Sequence, residues 1–391
     1  MKTFSIRLFF LISINLFGQE NEKSPFLDSI SNIYSINGSQ RIKNNLERID
    51  QGITIGGYGE ITYNQPKSKN GELDVQRLVL LFGYKFDDRV QFITEIEFEH
   101  VKEVYVEQAF VNYSISRNLN IKGGLMLIPM GITNEYHEPT AFNGVERPSM
   151  DGKIIPTTWR EIGLGASGRI DDIGVKYQAY LFNGFLSHDG SVGKLKGTDG
   201  LRGGRQKGAK SSVDKFNLSA KIDFYNIPGL KLGLAGYFGR TQASEGSEAP
   251  IGSDIGVSMI GIDGRYNLSK FSMKAQYINA KLSDTELYNP LTGKDLGSTL
   301  NGYYFETSYN VLSLSARQKL DLFIRYEDFD THAEVSGSLS RNPGYHRKEF
   351  TYGFSYHIAP GAVFKIDYQN KKTDNLNSSI SQFNMGLGVW F

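Results

Sequence analysis

The segment KFNLSAKIDF, residues 215–224, decides the fold class that the sequence predicts. Apolar side chains occupy every second position of this segment, and polar or charged side chains occupy the positions between them. Because successive side chains of a β-strand point to opposite faces, a period of two predicts a strand with one apolar and one polar face. The pattern recurs in about sixteen segments between Gly52 and Phe391, including DLFIRYE at 321–327 and QFNMGLGVWF at 382–391.

The connections between these segments are of two kinds, and the two kinds largely alternate along the chain. The tight ones are Asp87-Asp88, Arg117–Asn120, Asp171-Asp172, Asn226–Gly229, Ser269-Lys270 and Ala359–Gly361. The long ones are Pro129–Trp159, Ser187–Val213, Gln242–Ser253, Leu282–Thr299 and Thr331–Arg347. Short turns at one rim and long loops at the other are typical of an outer-membrane barrel.

Periodicity alone does not separate a soluble β-protein, whose apolar faces line a core, from a membrane barrel, whose apolar faces meet lipid. Segments of about ten residues match tilted strands that cross an apolar band about 25 Å tall. A closed barrel also satisfies every backbone group within lipid. With the secretion signal described next, these points favour an all-β fold for residues 52–391: a transmembrane antiparallel β-barrel of about 16 strands.

Residues 1–18, MKTFSIRLFFLISINLFG, have the composition of a secretory signal peptide. Lys2 and Arg7 are followed by an apolar run that is too short to cross a bilayer as a helix. We therefore expect export to the bacterial outer membrane; a buried first helix is the alternative. Residues 19–51 are polar, with apolar positions at helical spacing, which predicts a periplasmic leader that is either loose or contains a short helix.

Composition excludes several functions. The chain of 391 residues carries 43 basic and 42 acidic residues, a balance that argues against nucleic-acid binding. It has no cysteine, which excludes disulfides and thiolate metal sites. GLGASG at 163–168 matches the dinucleotide-binding pattern G-x-G-x-x-G, but it lies in a strand pattern with no helix after it. The pair His137-Glu138 is only a weak metal signature. No catalytic residue, metal or cofactor is therefore predicted. A barrel esterase with dispersed Ser and His residues is the enzyme alternative.

One long stretch, residues 56–206, resembles a known family. The matching segments are GGYGEITYN (56–64), RVQFITEIEFEH (89–100), EVYVEQAFV (103–111), LIPMGITNEYHEPTAFNGVERP (127–148), KIIPTTWREIGLG (153–165) and LRGGRQ (201–206). They resemble the Bacteroidetes-type branch of the phosphate-selective porin O and P family. The alternation that ends at Phe391 also resembles the C-terminal assembly signal of outer-membrane proteins.

The resemblance implies a sixteen-stranded barrel, a homotrimer, and a loop folded inward to narrow the pore. The chain departs from the best-known members, which carry an arginine-rich ladder and a lysine cluster for anions. Its predicted lumen charges are mixed: Lys176, Lys215, Lys221, Arg265 and Lys274 against Glu95, Glu97, Glu99, Glu107 and Asp263. The solute therefore stays open among small hydrophilic molecules and inorganic anions such as phosphate.

The loop 129–160 is the sharpest functional feature, since about 30 residues without a period are usually functional or disordered. Folded into the lumen, its charges would set a transverse field that sorts solutes. The alternative is an external loop with solvated charges. The predicted constriction residues are Glu135, His137, Glu138, Glu146, Arg147, Lys153 and Arg160.

Two further charged groups are candidates. The loop Ser187–Val213 is predicted to steer anions to the mouth of the pore through Lys194, Lys196, Arg202, Arg205 and Lys207. The alternatives are that the loop is solvated or that it touches lipopolysaccharide or a neighbouring subunit. Glu95, Glu97 and Glu99 form an acidic row on one strand face. They would favour cations or bind calcium, but pairing with Arg77 and Lys85 on the preceding strand is favoured.

The sequence thus predicts a passive outer-membrane porin without catalytic activity. Its expected partners are small solutes, outer-membrane lipid and lipopolysaccharide, and two further copies of the chain. The alternative is a barrel whose lumen is plugged, with residues 20–50 as a candidate plug, and whose long external loops bind a ligand or partner.

Overall fold

The computed structural model describes residues 37–376 and 379–391. Its main element is a closed antiparallel barrel. The barrel strands are β1 (Gly52–Pro66), β2 (Glu72–Lys85), β3 (Val90–Glu99), β4 (Glu103–Ser116), β5 (Leu119–Leu127), β6 (Arg160–Ile170), β7 (Val175–Phe182), β9 (Asn217–Phe224), β10 (Leu230–Arg240), β12 (Gly256–Leu268), β13 (Phe271–Ser283), β14 (Thr299–Asn310), β15 (Lys319–Glu334), β16 (His346–Ala359), β17 (Ala362–Thr373) and β18 (Ile380–Trp390). The predicted sixteen-stranded antiparallel barrel is confirmed.

The remaining elements are short. The strands β8 (Leu186–His188) and β11 (Gln242–Ala243) pair in parallel above the barrel wall. The helices are α1 (Gly38–Leu46), α2 (Met150–Lys153) and α3 (Thr285–Thr292). Single 3₁₀ turns occupy Asp171–Ile173, Arg202–Gly204, Gly246–Glu248 and Pro343–Tyr345. Among the described residues, no helix is long and apolar enough to cross a bilayer.

The burial pattern is inverted relative to a soluble protein. In β9, Leu218 and Ile222 are exposed on the outside, while Ser219, Lys221 and Asp223 are buried inside. The other strands repeat this arrangement, with apolar side chains outward and charged side chains inward. An apolar outer belt is stable only against lipid. Together with the closed barrel, it places the protein in the bacterial outer membrane.

The two kinds of connection separate onto opposite rims. All six predicted tight connections lie at the rim where β2 meets β3 and β12 meets β13. All five predicted long connections lie at the opposite rim. In outer-membrane barrels the short turns face the periplasm and the long loops face the outside. The short-turn rim is therefore the periplasmic one.

The loop between β5 and β6, residues 128–159 (the inner loop), folds into the lumen. Every residue from 128 to 145 is buried, including its charged ones. At its end, the ring of Trp159 stacks on Phe185 with centroids 4.4 Å apart and lies 4.6 Å from that of Tyr237. The expectation that this segment folds inward is confirmed.

Helix α1 occupies the lumen near the periplasmic rim. Its N-cap is Asn37, whose side chain accepts a hydrogen bond from the backbone N–H of Gln40. Ile42 and Leu46 are buried against Gly83 of β2, where a Cβ atom would lie 2.2 Å from the Ile42 side chain. The glycine therefore makes room for the helix. The proposed signal peptide 1–18 and leader residues 19–36 lie outside the described residues.

The outer belt generates a stability prediction. Ile262 lies at the centre of β12 with more than half of its surface exposed on the outside. We expect Ile262→Arg to lower the free energy of unfolding in lipid vesicles by about 2–4 kcal/mol, because a charge meets hydrocarbon. Ser308→Arg, on the lumen side, is the control and should cost much less. Equal losses in guanidinium unfolding would contradict the assignment of the two faces.

Candidate functional site

The inner loop is closed at its base by one side chain. The Asn134 amide donates to the carbonyl oxygens of Ile128 and Trp159, at 2.8 and 3.0 Å. Its carbonyl oxygen accepts from the Trp159 N–H at 2.7 Å. Since Ile128 and Trp159 are the two ends of the loop, this buried residue clamps the strand ends together and orients everything between them.

Glu135 points from the loop to the wall. Its carboxylate lies 3.0 Å from the ammonium of Lys221 on β9 and 3.6 Å from that of Lys176 on β7. The amide of Gln178 donates to it at 2.8 Å. The carboxylate is therefore neutralised by wall residues and not by the basic residues of its own loop.

The next two predicted residues face another part of the wall. His137 lies 3.3 Å from Glu107 of β4, measured from Nε2 to the carboxylate. The Glu138 carboxylate accepts from the backbone N–H of Gly38 at 2.6 Å, so it fastens helix α1 to the inner loop. Both side chains are buried.

The remaining predicted constriction residues are spread along the outer half of the lumen. Glu146 accepts from the Asn64 amide of β1 at 2.8 Å, and Arg147 donates to the carbonyl of His137 at 3.2 Å. Lys153 pairs with Asp199 of the next long loop. Arg160 is the first residue of β6, not a loop residue, and lies 3.2 Å from the Glu107 carboxylate. The structure thus brings His137 and Arg160 together at Glu107, whereas the other predicted constriction residues have separate partners.

The predicted steering residues lie on the loop 183–216 and are engaged in contacts. Lys194 pairs with Asp189, and Lys196 lies 3.1 Å from Asp199. The guanidinium groups of Arg202 and Arg205 both donate to the carbonyl of Thr157, at 2.6 and 3.0 Å. Lys207 lies over the Tyr105 ring, 4.8 Å from its centroid. The two arginine contacts fasten this loop to the inner loop, and the steering role stays a prediction.

Two carboxylates of that loop are held in their charged form. Burial raises the pKa of Asp199, but hydrogen bonds from Lys153 and Lys196 outweigh it and hold the pKa below its ordinary value. A hydrogen bond from Lys194, together with two backbone N–H groups, lowers the pKa of Asp189. Their contribution to stability is therefore present above about pH 4 and is lost only as the pH falls through the lowered values.

The acidic row has other partners than those expected. Glu95 accepts from the Tyr58 hydroxyl at 2.8 Å. Arg77, which the register places opposite Glu99, instead donates to Glu60 of β1 at 2.6 Å. Lys85 donates to the carbonyl of Ile49 at 2.8 Å and lies 3.2 Å from Asp88. Both basic residues are therefore engaged by acceptors outside the row, on β1 and on the turn that follows helix α1.

Below the inner loop, a water-accessible cavity of about 1500 Å³ opens toward the periplasmic rim (the vestibule). Its lining has nine basic residues and four acidic ones, a net of +5, although the whole chain has a net charge of only +1. The basic ones are Lys43, Arg117, Lys122, Arg169, Lys176, Lys231, Arg265, Lys274 and Lys319. The lining of the vestibule is therefore basic, although buried carboxylates behind it contact two of these lysines: Asp223 lies 3.3 Å from Lys231, and Glu306 lies 3.6 Å from Lys274.

Sequence reasoning missed the centre of the vestibule. The Tyr136 hydroxyl accepts from Lys231 at 3.0 Å, and the Arg265 guanidinium lies 4.1 Å from the centre of its ring. Lys122 lies 5.3 Å over the ring of Phe110. The alternation of the sequence could have identified two of these residues, because it assigns Lys122 and Lys231 to the lumen face of their strands. Lys215, expected in the lumen, instead pairs with Asp254 in the outer loops.

Several solved structures share this architecture. The outer membrane channel DcaP of Acinetobacter baumannii superposes with a TM-score of 0.58 at 11% identity, covering 88% of this chain and 98% of that one. The anion-selective porin from Comamonas acidovorans gives 0.57 at 12%, covering 88% and 100%. OmpT of Vibrio cholerae in its trimer form gives 0.56 at 11%, covering 88% and 100%. The fold defines the class: a porin-type barrel of the outer membrane.

Sequence comparison adds a relative. An uncharacterized protein of Aquifex aeolicus (strain VF5) is 32% identical over 337 residues, which cover 82% of this chain and 76% of that protein. The chain belongs to the same family as this Aquifex protein. No family model matches the chain.

The Asn134 clamp generates a prediction about the inner loop. We expect Asn134→Ala to leave buried backbone groups unpaired and to lower the free energy of local opening by about 2–3 kcal/mol. Trypsin cleavage after Lys153 should then accelerate about ten-fold or more. Asn289→Ala is the matched control, because Asn289 makes the same kind of clamp on Leu296 in another loop. Unchanged cleavage in Asn134→Ala would show that the clamp does not hold the loop.

Proposed function

We propose that this protein is a passive diffusion channel that favours small anions. The observation that carries the proposal is the charge of the vestibule, nine basic residues against four acidic ones around a cavity open to the periplasmic rim. A charged lumen with low-dielectric walls concentrates ions of the opposite sign. An excess of +5 therefore favours anions over cations in this half of the channel.

The inner loop provides the constriction in this proposal. Glu135 and Tyr136 form part of the vestibule lining, so the loop separates the vestibule from the external mouth. Within the loop, Lys221 and Lys176 of the wall neutralise Glu135, which removes a barrier to anions. In this proposal, Glu138, Glu146, Arg147 and Lys153, predicted from the sequence as charge-filtering residues, also hold this loop in place through their contacts.

Phosphate is the solute that the family resemblance favours. The resemblance to the phosphate-selective porin O and P family covers residues 56–206, which include the inner loop and the basic loop beside it. The Comamonas acidovorans structure is that of an anion-selective porin. Phosphate carries the charge that the basic vestibule attracts, and hydrogen-bond donors such as Lys122 and Lys231 match its oxygen acceptors.

The charge preference is tested in planar bilayers. Across a KCl gradient, we expect the reversal potential of the mature protein to show chloride preference, and added phosphate to reduce the chloride current. Lys122→Glu changes the vestibule charge by two units. At about 8 Å in water this disfavours chloride and favours potassium by about 1 kcal/mol each, so the chloride-to-potassium permeability ratio should fall about 30-fold.

Lys69→Glu is the control, because it makes the same change in net charge on the exposed turn between β1 and β2. It should leave the permeability ratio unchanged. A cation-selective wild-type channel would overturn the anion proposal while leaving the pore. Equal shifts for both variants would show that overall charge, not the vestibule, sets the preference.

A plugged barrel is the second candidate, and one observation favours it. Residues 128–145 are buried throughout, so the inner loop is packed against other parts of the chain on all sides. In that case the long outer loops would carry the function by binding a ligand or partner. The two candidates differ in one measurement, because a plugged barrel gives no conductance.

We further propose that the protein is a homotrimer in contact with outer-membrane lipid and lipopolysaccharide. The support is the fold shared with the Vibrio cholerae protein in trimer form and the apolar outer belt. We expect insertion into bilayers in units of three equal conductance steps. Insertion in single conductance steps, together with the mass of a monomer from light scattering in detergent, would contradict the trimer.

A further inference from the structure

Three side chains inside the lumen converge on one point that the proposed channel does not use. They are Glu95 of β3, Glu107 of β4 and His137 of the inner loop (the three-ligand cluster). All three are almost completely buried. Each offers one atom to the centre, and these atoms lie within 4.8 Å of one another.

Each of the three residues has a second oxygen or nitrogen atom that does not face the centre, and a neighbouring residue holds this atom by a hydrogen bond. The Gln108 amide donates to Oε2 of Glu95 at 2.6 Å, which leaves Oε1 toward the centre. Arg160 donates to Oε1 of Glu107 at 3.2 Å, which leaves Oε2 toward the centre. His137 Nδ1 lies 3.1 Å from the carbonyl of Asn134 and donates to it. Such outer contacts orient the ligands of metal sites in proteins.

The histidine contact decides which ring nitrogen faces the carboxylates. Because Nδ1 carries the proton donated to the Asn134 carbonyl, Nε2 of the neutral imidazole bears the lone pair. Nε2 lies 3.3 Å from Glu107 and 3.8 Å from Glu95, and it has no hydrogen-bond partner among the described residues. A lone pair that faces two carboxylates is repelled unless a positive charge lies between them.

The surroundings are rich in carboxyl groups. Glu60, Glu97 and Glu138 lie around the cluster, so five carboxyl groups accompany two guanidinium groups. One of these guanidinium groups, Arg77, is engaged by Glu60, and the other, Arg160, by the outer oxygen of Glu107. The inner oxygens of Glu95 and Glu107 therefore face Nε2 of His137, where either a proton or a metal ion supplies the positive charge between them.

We propose that the three-ligand cluster binds a divalent transition-metal ion of the Zn²⁺ type. One imidazole and two carboxylates are ligands that Zn²⁺ takes, whereas Ca²⁺ and Mg²⁺ use oxygen ligands alone. The Tyr58 hydroxyl, 2.8 Å from Glu95 and 3.4 Å from Glu107, spaces the two carboxylates. Gln108 lines the vestibule and also contacts Glu95, so the site lies one side chain away from water.

The ion would fasten the inner loop to the wall. His137 belongs to the loop and the two glutamates belong to β3 and β4, so a bound ion would join the inner loop to two strands of the wall. The site does not depend on which solute the channel conducts. Sequence spacing does not reveal it, because the three ligands come from three separate segments.

The test uses the full mature protein in detergent, treated with a chelator and then titrated with Co²⁺ and Zn²⁺. We expect one Co²⁺ per chain with a visible ligand-field spectrum, and its displacement by one equivalent of Zn²⁺. His137→Gln should weaken Zn²⁺ binding on the order of 100-fold. Heat-modifiable migration in gels and far-UV circular dichroism verify that each variant is folded.

His346→Gln is the matched control. His346 contacts Asp328 and Asp374 at 2.7 and 2.6 Å near the loop rim, so it is the surface group most able to bind zinc adventitiously. It should leave the one-equivalent site unchanged. If His137→Gln does not fold, Glu95→Gln replaces it, with the same expected loss. The proposal would be overturned if the wild-type protein bound no metal at one equivalent, or if binding were lost only in His346→Gln. Either result would assign His137 as a protonated partner of Glu107.

Discussion

Closure of the barrel between β1 and β18 is the constraint on which the rest of the structure depends. The two strands pair from Tyr58 opposite Trp390 onward, and the backbone groups of Gly57 and Phe391 exchange hydrogen bonds at 3.0 and 2.9 Å. Without this ladder, two strand edges would expose unpaired backbone groups to hydrocarbon. Closure turns a sheet into a lumen, and the lumen explains why charged side chains are buried while apolar ones are exposed.

The enclosed charges are then neutralised by pairing across elements. Lys221 of β9 contacts Glu135 of the inner loop, and Arg325 of β15 contacts both Glu306 and Glu327 at 3.3 and 3.0 Å. Because a buried charge is costly without a partner, each such pair also fixes the position of a segment. The ion pairs that hold the inner loop also neutralise charges of the lumen. The excess of charge that is left to interact with solutes is basic and lies in the vestibule.

Strand positions and connection lengths were predictable because they depend on local order, whereas the inward loop was expected from the family resemblance. The period of two in KFNLSAKIDF assigns Lys221 and Asp223 to one face whatever the neighbouring strands are. Partners were less predictable. Arg77 pairs with Glu60 and not with the acidic row, and Arg205 binds carbonyl groups of the inner loop, because both choices depend on distances between segments far apart in sequence.

By itself, the sequence determined that the chain forms alternating strands, that about sixteen of them occur, and that long and short connections alternate. These properties follow from side-chain periodicity and turn composition within a few residues of each other. Only the tertiary structure decided that residues 128–145 are buried, that basic residues of seven strands meet in the vestibule, and that His137 meets Glu95 and Glu107. These juxtapositions arise from barrel closure and loop folding, which bring together side chains that no local pattern relates.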